Sequence, residues 1–90
     1  MISKIKSYIN NKHPDLNTEI KGAFSNQIYI FNNSPETKVV HVQIGGDGNW
    51  DIFVATSNEY HTTTEDMGKY FSNPDQTMLD YIDLKIQQYL

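Results

Sequence analysis

The stretch "TKVVHVQIGGDGNWDIFVAT", residues 37–56, contains two β-like runs on either side of a glycine-rich turn. Apolar residues alternate with other residues in both runs, as in strands that bury one face. The predicted buried sets are Val40, Val42 and Ile44 in the first run, and Trp50, Ile52 and Val54 in the second. Gly46, Asp47, Gly48 and Asn49 suit the positive φ angles of a hairpin loop. The stretch therefore predicts two antiparallel strands.

Two more alternating runs precede this hairpin. Residues 16–24 place Leu16, Ile20 and Phe24 on one face of a first strand, and "IYIFN" at 28–32 predicts a second. Short turns separate the four runs, whereas parallel neighbours would need crossovers of a dozen or more residues. The pattern thus predicts an antiparallel meander of four strands. "NEYHTTT" at 58–64 either extends the fourth strand or adds a fifth.

Helical periodicity marks the N-terminal end of the chain. Ile2, Ile5 and Ile9 share one face of a helix that should stop before Pro14, because proline disfavours a helical conformation at the residue before it.

The C-terminal third is also predicted to be helical. Thr62 and Glu65 have capping-box spacing ahead of an apolar run at 67–71, which predicts one or two helical turns. Asn73 as N-cap and Pro74 at the first helical position then begin a final helix. Its predicted apolar stripe is Met78 or Leu79, Ile82, Ile86, and Tyr89 or Leu90, opposite Asp80, Asp83 and Gln87. The predicted fold is a single α+β domain, residues 1–90, with its helices on one face of the sheet.

Charge and composition limit the classes of function. Residues 1–45 carry a net charge of +2 and residues 46–90 carry −6. The chain has no arginine, the residue that makes bidentate contacts with phosphate and guanine, so we expect no direct binding of nucleic acid. It has no cysteine and no apolar run long enough for a signal peptide or membrane span. We expect a cytoplasmic protein without a cofactor, whose partner is cationic.

The turn at 45–51 also resembles part of a calcium loop. Asp47, Asn49 and Asp51 match the first three side-chain ligand positions of an EF-hand. The match fails afterwards, since Ile52 replaces the required glycine and Asn58 replaces the bidentate glutamate. We therefore interpret the stretch as a hairpin turn and predict no metal ligand.

Catalytic motifs are not apparent in the sequence. His13, His41 and His61 lack the local spacing of zinc ligands, and no nucleophile elbow, phosphate-binding loop or dinucleotide fingerprint is present. We predict no catalytic residue. A small metal-dependent enzyme that uses Asp47, Asp51 and His41 is an alternative, which requires these three side chains to meet in space.

Acidic and aromatic residues of the second half offer a surface for a basic partner. Acids at helix starts and on polar helix faces have an ordinary structural explanation, but together they can also steer a basic cleft of another protein. Aromatic residues commonly anchor such interfaces. The predicted partner-binding residues are Asp47, Asn49, Trp50, Asp51, Glu59, Tyr60, Glu65, Asp66, Tyr70, Asp80 and Asp83.

In size, charge and Asn/Ile/Lys-rich composition the whole chain resembles the small acidic inhibitors of bacteriophages and mobile elements, of the anti-CRISPR and anti-restriction type. These proteins share no motif, so the resemblance carries over no residue. It implies an inhibitor that docks on a nuclease or another nucleic-acid-binding enzyme.

A self-associating structural subunit is the other alternative. If the terminal helices cover only one face of the sheet, the other face would expose Tyr29, Phe31, Val39 and Phe53. A homodimer could then form through this uncovered face.

Overall fold

The computed structural model describes residues 1–57 and 62–90. Its elements are helix α1 (Ile2–Lys12), strands β1 (Asn17–Lys21), β2 (Gln27–Phe31), β3 (Lys38–Ile44), β4 (Trp50–Ser57) and β5 (Thr62–Phe71), and helix α2 (Gln76–Tyr89). The strands pair antiparallel in chain order, β1-β2-β3-β4-β5. The predicted α+β class and the antiparallel meander are confirmed. Neither described helix combines the length and apolar character that a membrane crossing requires.

The hydrophobic core lies between the two helices and one face of the sheet. Alternation along β2, β3 and β4 directs every second side chain, mostly isoleucine and valine, towards the helices. The core residues from the strands are Ile28, Ile30, Val40, Val42, Trp50, Ile52 and Val54, and those from the helices are Ile5, Ile9, Met78, Ile82 and Ile86. Burial of one such side chain contributes about 1.5–3 kcal/mol, so this layer dominates the stability of the fold.

A charged cluster joins α1 to α2 beside the core. Asp83 of α2 accepts hydrogen bonds from Tyr8 Oη (2.8 Å), Lys12 Nζ (2.6 Å) and His13 Nε2 (2.8 Å). Burial opposes ionisation of Asp83, but the hydrogen bonds from Lys12, His13 and Tyr8 outweigh it and hold its pKa below the ordinary value. The sequence placed Asp83 on the polar face of α2, and this was wrong, because that position faces α1.

We expect Asp83→Asn to lower the free energy of unfolding by about 1–2 kcal/mol at pH 7, since an amide cannot replace a carboxylate that serves three donors. The stabilisation by Asp83 is complete above its unfolded pKa of 3.8 and is lost as the pH falls through its lower folded pKa. Urea unfolding at pH 7 and pH 3 measures both effects. Asp80→Asn, an exposed change one turn away, should alter stability by less than about 0.5 kcal/mol. Equal losses in the two variants would contradict the role of the cluster.

One predicted helix is a strand in the structure. Residues 62–71 form β5 rather than helical turns, so the prediction from the spacing of Thr62 and Glu65 was wrong. β-branched threonines and aromatic residues suit a strand, and pairing with β4 satisfies backbone groups that would otherwise stay unpaired at the sheet edge. Gly68, at φ +70°, also has a conformation that no helix contains.

Two element boundaries differ from the prediction. β1 ends at Lys21, because Gly22 (φ +95°) begins the turn, so Phe24 does not extend the strand and is 90% exposed. α2 is capped by Asp75 rather than Asn73, since a carboxylate oxygen of Asp75 accepts the backbone N–H of Met78 at 3.2 Å. Aspartate caps as well as asparagine does, and the helix therefore starts two residues later than predicted.

Candidate functional site

The sheet face opposite the helices, called here the open face, carries three rows of side chains set by the strand register. The first row is Lys21, Gln27, Gln43, Asp51 and Tyr70. The second row is Glu19, Tyr29, His41 and Phe53. The third row includes Phe31, Val39 and Ala55, all of them buried. The face is thus polar at one end and apolar at the other.

An aromatic stack occupies the centre of the open face. The ring of His41 lies parallel to Phe53 with centroids 4.5 Å apart, and Tyr29 meets it edge-on at the same distance. His41 is only 8% exposed, and its Nε2 has no hydrogen-bond partner in the part of the chain that the structure describes. Burial lowers the pKa of His41 from 6.5 to about 4, so the imidazole is neutral at pH 7. The aromatic centre of the second row, Tyr29, His41 and Phe53, is therefore uncharged at pH 7.

Asp51 borders a shallow pocket in the first row. The pocket has a volume of about 250 Å³ and is lined by Gln43, Asp51, Phe53, Thr64, Met67 and Tyr70. Asp51 Oδ1 is buried and has no hydrogen-bond partner among residues 1–57 and 62–90, which is costly for a carboxylate. Burial raises the pKa of Asp51 above its ordinary value. In the part of the chain that the structure describes, no ion pair compensates this group.

The β3–β4 turn at residues 45–49 is stabilised by its own acid. Asp47 Oδ1 accepts the backbone N–H of Asn49 at 3.0 Å, and the Gly48 N–H donates to the Gly45 carbonyl at 3.0 Å. Gly48 has φ +83°, a conformation that glycine adopts without strain. The predicted hairpin turn is confirmed. Asp47 itself is exposed at the tip.

Three segments meet at the polar end of the sheet, which we call the hairpin end: the β1–β2 turn (22–26), the β3–β4 turn (45–49) and the end of β5. Asn26 connects the two turns, since its carbonyl accepts the N–H of Ile44 and its Nδ2 donates to the Ile44 carbonyl. Exposed apolar side chains lie here and along β5, with Phe24 90%, Met67 85% and Tyr70 70% exposed. The hairpin end thus combines exposed rings with acids.

Some of the predicted partner-binding residues lie together at the hairpin end. Asp47, Asn49, Asp51 and Tyr70 all occur in its turns or in the first row of the open face. Trp50 alternates to the other face and is 4% exposed within the core, so its predicted role as a surface contact was wrong. Glu59 and Tyr60, like His61, lie outside the described residues.

The remaining predicted acids lie elsewhere. Asp66 faces the helices, where it accepts from Lys85 Nζ at 2.8 Å, Tyr89 Oη at 3.0 Å and the Gly68 N–H at 2.8 Å. The hydrogen bond from Lys85 is the main reason that the pKa of Asp66 is lowered. Asp66 therefore joins β5 to α2. Its negative charge is compensated by Lys85, as that of Asp83 is by Lys12.

Two further predicted acids are exposed but distant from Asp51. Glu65 accepts from the hydroxyl of Thr56 at 3.0 Å, towards the opposite end of β5. Asp80 accepts from the side chain of Gln76 at 2.8 Å on the outer surface of α2. The described acidic residues of the second half therefore do not form one continuous surface.

A larger groove of about 720 Å³ lies at the opposite end of the molecule. It is lined by Lys12, His13, Pro14, Asp15, Leu16, Asn32, Asp83, Ile86, Gln87 and Leu90. Lys12 and His13 are already bonded to Asp83. Because these three groups are bonded to one another, the groove, unlike the pocket at Asp51, has no buried carboxylate oxygen without a partner among the described residues.

The structure also locates the residues of the two alternative functions. His41 and Asp51 are diagonal neighbours on the open face, since they pair with Phe53 and Gln43, while Asp47 is engaged in its own turn. Among residues 1–57 and 62–90, no three acidic or histidine side chains are grouped as metal ligands would be.

The predicted self-association face is uncovered by helices but only partly available. Phe31 and Val39 are 4% and 1% exposed, so the prediction that they form a free apolar surface was wrong. Tyr29 and Phe53 are half-buried. Little of the apolar area of this face is therefore free for a second copy of the chain.

The predicted partner-binding set lacked four residues of the pocket, Gln43, Phe53, Thr64 and Met67, of which Phe53 was predicted for the self-association face instead. Alternation already placed Gln43 and Phe53 on the same face as Asp51, and the register through the turn at 45–49 would have placed Gln43 opposite it. Thr64 and Met67 could not be assigned while residues 62–71 were interpreted as helical. Comparison with known proteins yields no match among family models, curated proteins or solved structures.

Proposed function

We propose that the chain is a non-enzymatic protein-binding module, an inhibitor that docks the hairpin end and the adjoining open face onto a basic protein. The observation that carries the proposal is the uneven use of the acids. Asp66 and Asp83 form ion pairs within the fold, whereas Asp47 and Asp51 have no ion-pair partner among the described residues. Asp47 and Asp51 also lie together beside exposed rings, unlike Glu65 and Asp80, which are exposed and equally unpaired within the described part of the chain. Unpaired acids on one end of a molecule steer it towards a positive surface.

Exposed apolar side chains support the same surface. Phe24, Met67 and Tyr70 are each at least 70% exposed, and an interface commonly buries such residues within a polar rim. Aromatic anchors of this kind carry much of the binding energy in protein complexes. The hairpin end thus supplies negative charge, which speeds association with a basic partner, and apolar area, which slows dissociation of the complex.

A nucleic-acid-handling enzyme is the partner class that we propose. Its groove is positively charged because it binds phosphates, which makes it complementary to an acidic surface without arginine. The resemblance to anti-CRISPR and anti-restriction inhibitors points to the same class, and the cytoplasm is the corresponding location.

Capture of the partner tests the proposal. The tagged chain is used as bait in lysate of the native host, with and without nuclease, and recovered proteins are identified by mass spectrometry. We expect one basic nucleic-acid enzyme under both conditions. Recovery of the chain alone would contradict the proposal and favour self-association instead.

Variants then locate the interface on the captured partner. Asp47→Asn/Asp51→Asn removes two charges while keeping side-chain shape, and we expect it to weaken binding about tenfold, mainly through slower association. The matched control Asp15→Asn/Asp80→Asn removes the same charge from exposed sites elsewhere and should change the affinity less than about twofold. Equal losses would indicate a net-charge effect and contradict docking through the hairpin end.

A further inference from the structure

The pocket beside Asp51 has the chemistry of a cation subsite. One wall is a carboxylate with a buried oxygen that lacks a donor, and the others include the ring of Phe53, the ring of Tyr70 and the amide of Gln43. A cation placed in this pocket would compensate the partly buried carboxylate of Asp51, which has no ion pair among the described residues. The uncompensated carboxylate therefore indicates what kind of group the pocket lacks.

The chain itself supplies no cation to this pocket among its described residues. Lys69 alternates to the helix side, where its Nζ lies 5.5 Å from the ring centre of Phe71. Lys21 shares the row of Asp51, but β1 is three strand spacings away, roughly 14 Å, and Lys21 pairs with Glu19 at 3.1 Å. The cation must therefore come from outside the described part of the molecule.

We infer that this pocket binds the guanidinium group of one arginine side chain of the protein partner, with Asp51 as its carboxylate ligand. The planar guanidinium can donate two hydrogen bonds to a carboxylate and stack on an aromatic ring, whereas a lysine ammonium offers only a point charge. Asp51, Phe53 and Tyr70 provide these two kinds of contact on adjacent strands. The inference rests on the proposed function and names the partner group that the surface recognises.

Titration with a small probe tests the subsite without the partner. The ¹⁵N-labelled chain is titrated with N-acetyl-arginine amide and, separately, with N-acetyl-citrulline amide, which has the same shape but no charge. We expect arginine to shift the amide resonances of Gln43, Phe53, Thr64 and Tyr70 with a Kd of roughly 1–10 mM, as suits one small group. Citrulline at equal concentration should cause no saturable shift. Equal binding of the two probes, or shifts confined to other regions, would overturn the inference.

Two further measurements make the test specific for Asp51. Asp51→Asn should weaken arginine binding at least about fivefold, whereas Asp80→Asn should leave it unchanged. In the native chain, bound arginine should lower the pKa of Asp51, followed by the ¹³C shift of its carboxyl group. The other titratable groups on the open face are Glu19, Lys21, Tyr29, His41 and Tyr70. An Asp51 pKa that does not move with arginine would also overturn the subsite.

The subsite and the proposed function can fail separately. Failure of arginine to bind, together with weaker binding of Asp47→Asn/Asp51→Asn to the captured partner, would support the docking surface and contradict the arginine subsite. If arginine binds at Asp51 but no basic protein is captured, the result would support the subsite and contradict the proposed function.

Discussion

We expect Gly68→Ala to lower the free energy of unfolding by about 3 kcal/mol or more, the largest loss among the substitutions considered. Gly68 has φ +70°, which strains any side chain, and an added Cβ would overlap the carbonyl of Ile52 and approach Phe53 Cα to 2.9 Å. These are backbone atoms of the paired strand, which cannot rotate away. The Gly68 N–H also donates to Asp66, so a shift of β5 would disturb its link to α2.

Gly46→Ala is the matched control, since its added Cβ meets no atom within 4 Å and Gly46 does not have a positive φ. It should change stability by less than about 0.5 kcal/mol. Urea unfolding at pH 7 followed by far-ultraviolet circular dichroism compares the two proteins. Equal stability of Gly68→Ala and Gly46→Ala would contradict the close contact between Gly68 of β5 and the Ile52 carbonyl of β4.

The central strands could be predicted because local pattern and tertiary packing agree there. Each of β2, β3 and β4 alternates apolar and other residues, and burial of one face selects a single register. The same alternation placed His41, Gln43 and Asp51 opposite the core face. The turn at 45–49 was predictable for a similar reason, since its glycines and Asp47 provide local turn geometry that needs no distant contact.

A fifth strand was one of the alternatives for residues 58–64, but its course through 65–71 could not be predicted, because that part of its structure depends on a neighbour. The spacing of Met67, Tyr70 and Phe71 is compatible with a helix, and only the unpaired edge of β4 selects a strand. This error also hid Thr64 and Met67 from the candidate pocket. Local sequence carries no information about which edge of a sheet remains open.

The sequence also did not predict which acids are paired in the folded chain. Asp66 and Asp83 look like surface carboxylates in the sequence, but residues brought near by folding donate three hydrogen bonds to Asp83 and two to Asp66. Asp51 has the opposite outcome, since folding buries one oxygen without a donor. Charge counting therefore predicted an acidic half but not which acids remain unpaired.

Through His41, the native chain should lose about 2 kcal/mol of unfolding free energy between pH 7 and pH 5. We expect His41→Phe to abolish this loss. The pKa of His41 is about 4 in the folded chain and 6.5 when unfolded, because burial between Tyr29 and Phe53 disfavours the imidazolium. Between these values the unfolded chain binds the proton and the folded chain does not, so the native stability falls as the pH drops below 6.5. Below pH 4 the loss approaches about 3 kcal/mol.

Phenylalanine keeps a planar ring in the stack and cannot be protonated. It also removes the unpartnered Nε2, so at pH 7 the variant should equal or exceed the native stability by about 1 kcal/mol. Urea unfolding of both proteins at pH 7, 6 and 5 gives the comparison, and the difference between them isolates His41 from the acids that titrate in each. Tyr29→Phe keeps the imidazole and should retain the native pH dependence. Parallel pH profiles for the native chain and His41→Phe would show that the imidazole titrates as freely in the folded chain as in the unfolded one. They would thereby contradict a buried, neutral histidine at the centre of the open face.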